Sequence, residues 1–189
     1  MLFVVPKPGT SPPETIHILD RRGRNRKAGS LRTGSRMLPH ACMWLDLYIP
    51  PGLGAFFSSN DLRHMYHAFA CVSRKRSRTM VIGHPYRLDE LAGTTALVRD
   101  RGHLGASQEV LLSFSGLGMG DGAAVDIAEQ SHRNVIKHAG GLEESEDMIY
   151  RRLFPIAPGG YCEGVMIHDH LGCQLGPLHD SKWVAEGYG

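Results

Sequence analysis

Turn-forming residues interrupt this chain throughout. Its 23 glycines and 11 prolines among 189 residues argue against a long helical bundle or coiled coil, and for short elements joined by many turns. A mixed α/β domain fits that punctuation. With 42% hydrophobic and 21% charged residues, the chain can bury one sizeable core and is not compositionally disordered, so one domain, or one and a half, is the limit. The formal charge of +2 is too small to demand a polyanionic partner, but the bases are unevenly spread and sixteen of the 21 are arginine. Cys42, Cys71, Cys162 and Cys173 form no C-x-x-C pair, so reduced thiols in an intracellular protein, in cytoplasm or nucleus, are expected. The apolar start through Val5 is stopped by Pro6-Lys7-Pro8, and no segment approaches transmembrane length. The chain therefore reads as soluble, with no membrane partner.

Two short β-rich runs, Leu2 to Val5 and Thr15 to Leu19, predict a β-ribbon across a Pro-rich link. From Asp20 to Arg36 the chain turns basic with Gly and Ser interleaved, a composition that predicts an exposed arm or loop. Gly54 to Asn60 predicts a strand running into Asp61, and Leu62, Met65, Tyr66 and Phe69 then follow helical spacing. A basic cluster (Arg74, Lys75, Arg76, Arg78) precedes a strand over Thr79 to Ile82, and the Gly- and charge-rich stretch from about 83 to 105 reads as an irregular insertion.

Glu109 to Phe114 predicts another strand. It ends in a Gly-rich turn after which Asp121 can cap a helix with Ala124, Ile127, Ala128, Ser131, Val135 and Ile136 on one face. The acidic run Glu143, Glu144, Glu146 and Asp147 reads as solvated surface. Tyr161 to Ile167 and Leu171 to Leu175 predict an antiparallel hairpin with His168, Asp169 and His170 around its turn. Asp61 thus ends one strand and Asp169 marks a hairpin tip. If the two strands are neighbours, the carboxylates converge and can hold a divalent cation through hard oxygen ligands.

The order of these pieces resembles the fingers and palm of a reverse transcriptase, the RNA-directed DNA polymerase of retroelements. Phe3-Val4-Val5-Pro6-Lys7-Pro8-Gly9 followed by Ile18-Leu19-Asp20-Arg21-Arg22-Gly23-Arg24-Asn25 is similar to the family's fingers ribbon. Ser59-Asn60-Asp61-Leu62-Arg63-His64-Met65-Tyr66 resembles the first palm motif, and Ser115-Gly116-Leu117-Gly118-Met119-Gly120-Asp121 with its helix the second. Met166-Ile167-His168-Asp169-His170-Leu171 stands where the family carries its aromatic-x-Asp-Asp hairpin. The resemblance covers nearly the whole chain and rests on motif order more than on any single match.

It implies a palm-type antiparallel sheet with packed helices and a short fingers ribbon, an α/β (α+β) fold. Residues 1–53 would be partial fingers with a basic arm and residues 54–189 the palm, without a thumb. It implies template-directed nucleotidyl transfer from a dNTP to a primer 3′-hydroxyl by two-metal catalysis with Mg2+ or Mn2+, on an RNA or DNA template. Asp61 and Asp169 would be catalytic and, with the Leu62 carbonyl, metal ligands. Lys7, Arg22, Tyr66 and Gly120 would bind nucleotide, with Tyr66 beneath the sugar. Arg24, Arg26, Lys27, Arg74, Lys75 and Arg76 would track the nucleic-acid backbone. Arg21 is set aside because strand alternation would turn it away.

The chain departs from the family at the third palm motif. In one register His168 replaces the first Asp and Met166 the aromatic; in the register shifted by one, Asp169 is the first acid, His170 the replaced second and Ile167 stands for the aromatic. Ile16 stands where a triphosphate-binding arginine is expected. A non-catalytic, nucleic-acid-binding remnant of a retroelement polymerase is the alternative. A zinc site drawn from Cys162, His168, His170, Cys173 and His179 is a third reading.

Overall fold

The computed structural model of the chain describes residues 2–12, 14–29, 31, 33–70, 81–92, 104–155 and 160–177. In chain order the strands are β1 (Leu2–Pro6), β2 (Thr15–Leu19), β3 (Leu53–Asp61), β4 (Val81–Arg87), β5 (Glu109–Ser113), β6 (Tyr161–Met166) and β7 (Asp169–Pro177). The α-helices are α1 (Arg22–Asn25), α2 (Met65–Ala68) and α3 (Ala124–His138), and 3-10 turns occupy Gly34–Arg36, Ala41–Asp46 and Asp89–Leu91. The named sheets are all antiparallel, of two, three and two strands, so the architecture is mixed α and β as the turn-rich composition implied. None of the described helices is long and apolar enough to cross a membrane.

The chain divides into two compact units, one of residues 1–29 and 66–124, the other of residues 30–65 and 125–189. In the first unit β1 pairs with β2 from Leu2↔Leu19 to Pro6↔Thr15, the ribbon expected from sequence. Strand β4 pairs with β5 through an irregularity between Ile82 and Tyr86. That pairing carries β4 to Arg87, into the stretch expected to be irregular from about 83, because β5 supplies backbone partners that local composition does not reveal. The Gly-rich turn beyond β5 docks on β2, with the Leu19 N–H donating to the Met119 carbonyl at 2.8 Å.

In the second unit the strand order is β3-β7-β6. Strands β6 and β7 form a hairpin whose last pair is Met166↔Asp169, so its turn is Ile167-His168 and Asp169 already belongs to the strand. One sheet face, with Ala55, Cys162 and Cys173, packs on Met43, Met148, Trp44 and Phe154. The basic arm does not stay wholly exposed as expected. Gly34 is buried on α3, because the Asp126 carboxylate accepts from Thr33 N–H (3.0 Å), Ser35 N–H (3.2 Å) and Ser35 Oγ (2.8 Å). A run poor in core-forming side chains is thus held by two backbone N–H groups and one hydroxyl converging on one carboxylate. Burial raises that carboxyl's pKa, but the Ser35 and Thr33 bonds outweigh it and hold Asp126 below the usual range.

Helix α3 departs most from its sequence reading. The apolar face predicted for it includes Val135, which is 66% exposed, whereas Glu129, His132 and Arg133 are buried with Ala124 and Ala128. The helix therefore turns a partly polar face to the interior, which succeeds only because each charge meets a partner there. Helical spacing after Asp61 also proved too generous: Asp61 ends β3, and only Met65–Ala68 is helical.

Candidate metal centre

Register builds the site. Strands β3 and β7 pair so that Asp61 stands directly opposite Asp169, and directly opposed residues share one face. The hairpin turn then sets His168 between them: its Nε2 lies 3.8 Å from Asp61 Oδ1 and 3.8 Å from Asp169 Oδ2. Ligand atoms of Asp61, His168 and Asp169 all lie within 4.8 Å of one another, the one such grouping of three His, Cys, Asp or Glu among the described residues. The side chains are 64%, 43% and 36% exposed, open to an incoming ligand. Two carboxylates and an imidazole suit a divalent cation, and the imidazole favours Mn2+ over Mg2+. The Nδ1 of His168 is buried without a hydrogen-bond partner. Leu62 ties the strand end to the turn, its N–H donating to the His168 carbonyl at 2.9 Å, while its own carbonyl accepts from Met65 N–H at 3.3 Å.

Two register steps away, on the same sheet face, Ser59 and Leu171 line a cleft of about 390 Å³ with Trp44, Phe57, Ser58 and Gly172. Trp44 meets Phe57 edge-on, with ring centroids 5.1 Å apart.

Behind the hairpin lies a polar network that the sequence reading missed. Glu129 Oε2 accepts from Ile167 N–H at 2.6 Å, and His132 Nδ1 meets the Ile167 carbonyl at 3.0 Å. Arg133 is hydrogen-bonded to Asp147 and lies 3.7 Å from Glu129 Oε1. Glu163 Oε2 is 2.6 Å from His170 Nε2, and its other oxygen accepts from Leu142 N–H. The acidic run at 143–147 is therefore not all solvated surface: Asp147 is buried, because Arg133 would otherwise be an unpaired interior cation. A Glu, His and Arg at i, i+3 and i+4 on one helix face was the available signal, and apolar periodicity passed over it.

Burial pushes the Glu129 carboxyl up to about 7 from 4.5, against the Ile167 and Arg133 interactions that favour its ionised form. Burial likewise lowers the His132 pKa. Glu163 is held below the usual carboxylate range, since its bonds from His170 and Leu142 outweigh burial. The Glu129 shift fixes a sign. Between pH 4.5 and about 7 the unfolded chain has released a proton that the folded chain keeps, so this group makes stability fall as pH rises through that window. Glu129→Gln removes the contribution, and urea midpoints across the window are expected to flatten relative to the parent, whose slope from this group is at most about 1.4 kcal/mol per unit.

The other expected site residues belong to the first unit or lie outside the described residues. Lys7, Arg22, Arg24, Arg26, Lys27, Tyr66 and Gly120 belong to the first unit, and Asp61, Leu62 and Asp169 to the second. Lys7 pairs with Glu14 at 3.3 Å and Arg22 with Asp20 at 2.8 Å, both lysine and arginine being exposed. Arg22 holds the Asp20 carboxyl well below the carboxylate range. The strand ends at Leu19, so alternation does not decide the neighbouring arginines: Arg21 turns onto Asp121 at 3.6 Å and is nearly buried, while Arg22 points to solvent. Tyr66 is half-buried, and burial raises its phenol pKa. Arg24, Arg26 and Lys27 are exposed on and after α1. Arg74, Lys75 and Arg76 lie outside the described residues, as does His179. The zinc reading does not assemble among the described residues: His168 joins the two aspartates, His170 bonds Glu163, and Cys162 and Cys173 sit in the apolar core.

The sequence matches no protein-family model and no curated protein.

Proposed function

We propose that the chain is a reverse transcriptase-like palm with a short fingers ribbon, acting in templated nucleotidyl transfer from a dNTP to a primer 3′-hydroxyl. The observation that carries the reading is the pairing of Asp61 with Asp169 across β3 and β7, with His168 beside both. A divalent cation bound there, Mg2+ or Mn2+, would supply Lewis-acid neutralisation of phosphate charge. Asp61 and Asp169 would hold it, and His168 would contribute nitrogen where the family has a carboxylate. Lys7 and Arg22 remain the candidates for the triphosphate, because exposed ion pairs such as theirs with Glu14 and Asp20 are weak enough for a phosphate to displace. Tyr66 and Gly120 would contact the nucleotide. Arg24, Arg26 and Lys27, with Arg74, Lys75 and Arg76, would follow the template backbone and make binding fall with salt.

The test is primer extension on an RNA template with Mg2+ or Mn2+. The parent chain is expected to extend, more readily with Mn2+, and His168→Asp to raise extension with Mg2+. Asp61→Ala is expected to lower extension by at least about 100-fold, since even groups that only orient a metal ligand are worth 10- to 100-fold. Failure of both the parent and His168→Asp to extend would overturn the polymerase reading. The second reading, a non-catalytic nucleic-acid-binding remnant, is favoured by the imidazole itself, which leaves the site one negative charge short. Salt-dependent RNA binding without extension in any variant would select it.

A further inference from the structure

Ile167 is a β-branched residue at φ +62, a left-handed conformation that such side chains rarely adopt. Strain of that kind persists where the surroundings over-determine it. Here both backbone polar groups of Ile167 are taken by side chains of one helix face: the N–H by Glu129 Oε2 at 2.6 Å, the carbonyl by His132 Nδ1 at 3.0 Å. A carbonyl only accepts, so His132 carries its proton on Nδ1. Glu129 and His132 are three residues apart on α3, adjacent on its surface, and are 0% and 4% exposed. The two peptide planes they fix flank Ile167, and the second leads directly into His168 and then Asp169. A two-residue turn leaves no slack, so the direction of those planes sets where the His168 ring and the Asp169 carboxylate start.

We propose that Glu129 and His132 are positioning residues of the metal centre, holding the hairpin tip so that His168 and Asp169 meet Asp61. This rests on reading Asp61, His168 and Asp169 as cation ligands. It assigns the polar face of α3 a task that packing alone does not require, because an apolar pair there would bury as well and leave the Ile167 backbone groups without partners.

The experiment uses the full chain and Mn2+ alone, titrated by electron paramagnetic resonance, alongside amide exchange at Ile167 and thermal melts. Glu129→Ala is expected to weaken Mn2+ binding by about 10-fold or more and to speed exchange of the Ile167 amide. Glu129→Gln, which keeps an acceptor for that amide, is expected to stay within about threefold of the parent. Asp147→Asn perturbs the same network without touching Ile167, and is expected to lower the melting temperature while leaving Mn2+ affinity unchanged. Should Glu129→Ala not fold, His132→Phe removes the carbonyl's donor at similar volume and is expected to weaken binding in the same way. Parental affinity in Glu129→Ala or His132→Phe, an equal loss in Asp147→Asn, or an unprotected Ile167 amide in the parent would each overturn the positioning role. If the parent and Asp61→Ala bind Mn2+ alike, the cation site itself is refuted and the positioning role falls with it.

Discussion

Arg133→Met is expected to destabilise the protein by about 3–5 kcal/mol, enough to remove much of the stability of a domain of this size. Arg133 is 1% exposed, and its guanidinium is the cation shared by Asp147, to which it is hydrogen-bonded, and Glu129, 3.7 Å away. Methionine fills similar space but leaves two carboxyls in a low-dielectric interior without a positive partner. The cost arises from those stranded acids more than from the lost pair, since a buried ion pair replaced whole by apolar groups is often nearly neutral. Urea denaturation of Arg133→Met beside the triple variant with Glu129→Gln and Asp147→Asn separates the two effects. The triple variant is expected to recover a large part of the loss, and an Arg133→Met midpoint equal to the parent's would show that the network is not holding the helix.

Gly120→Ala is expected to disrupt the first unit, at a cost of about 3 kcal/mol or more. Gly120 sits at φ +99, and a Cβ there would clash with the Leu19 carbonyl oxygen, a backbone atom that cannot swing aside. Left-handed backbone alone costs an L-residue about 1–2 kcal/mol. Relieving the clash would pull the turn off β2, and with it the bond from Leu19 N–H to Met119, the 2.8 Å bond from Asn25 Nδ2 to the Gly120 carbonyl, and the 3.0 Å bond from Gly122 N–H back to Asn25. Amide exchange at Leu19 and Gly122 is the direct measure; protection that survives in Gly120→Ala would contradict this account. The lack of a side chain at Gly120 is required by the approach of two backbones.

Several parts of the molecule were legible in the residues themselves. The β1–β2 ribbon, the β6–β7 hairpin and the end of β3 at Asp61 follow from β-branched and aromatic runs bounded by Pro and Gly, signals carried by neighbouring residues. The α3 helix was legible in extent and wrong in orientation. Periodicity scored Val135 as interior and gave no weight to Glu129, His132 and Arg133, because hydrophobicity ranks a charged side chain by its cost in isolation. Whether that cost is met depends on Asp147, Ile167 and their neighbours, which lie 14 and more residues further along the chain. The short basic segment around Gly34 was misjudged for the same reason: its stabilising partner, the Asp126 carboxylate, is more than ninety residues away.

Local backbone preference and the spacing of apolar residues are enough to place the β1–β2 ribbon, the β6–β7 hairpin and the end of β3 at Asp61, though not the start of β7, which is Asp169 rather than Leu171. That Asp61 faces Asp169 is a property of the folded sheet. A shift of one residue in the β3–β7 register would turn one of them to the opposite face, and register is set by contacts between strands more than a hundred residues apart. Folding also sets His168 with them and makes the acids behind the hairpin interior. A side chain's charge is written in the sequence, but the dielectric and the partners that fix its energy come only from the packed chain.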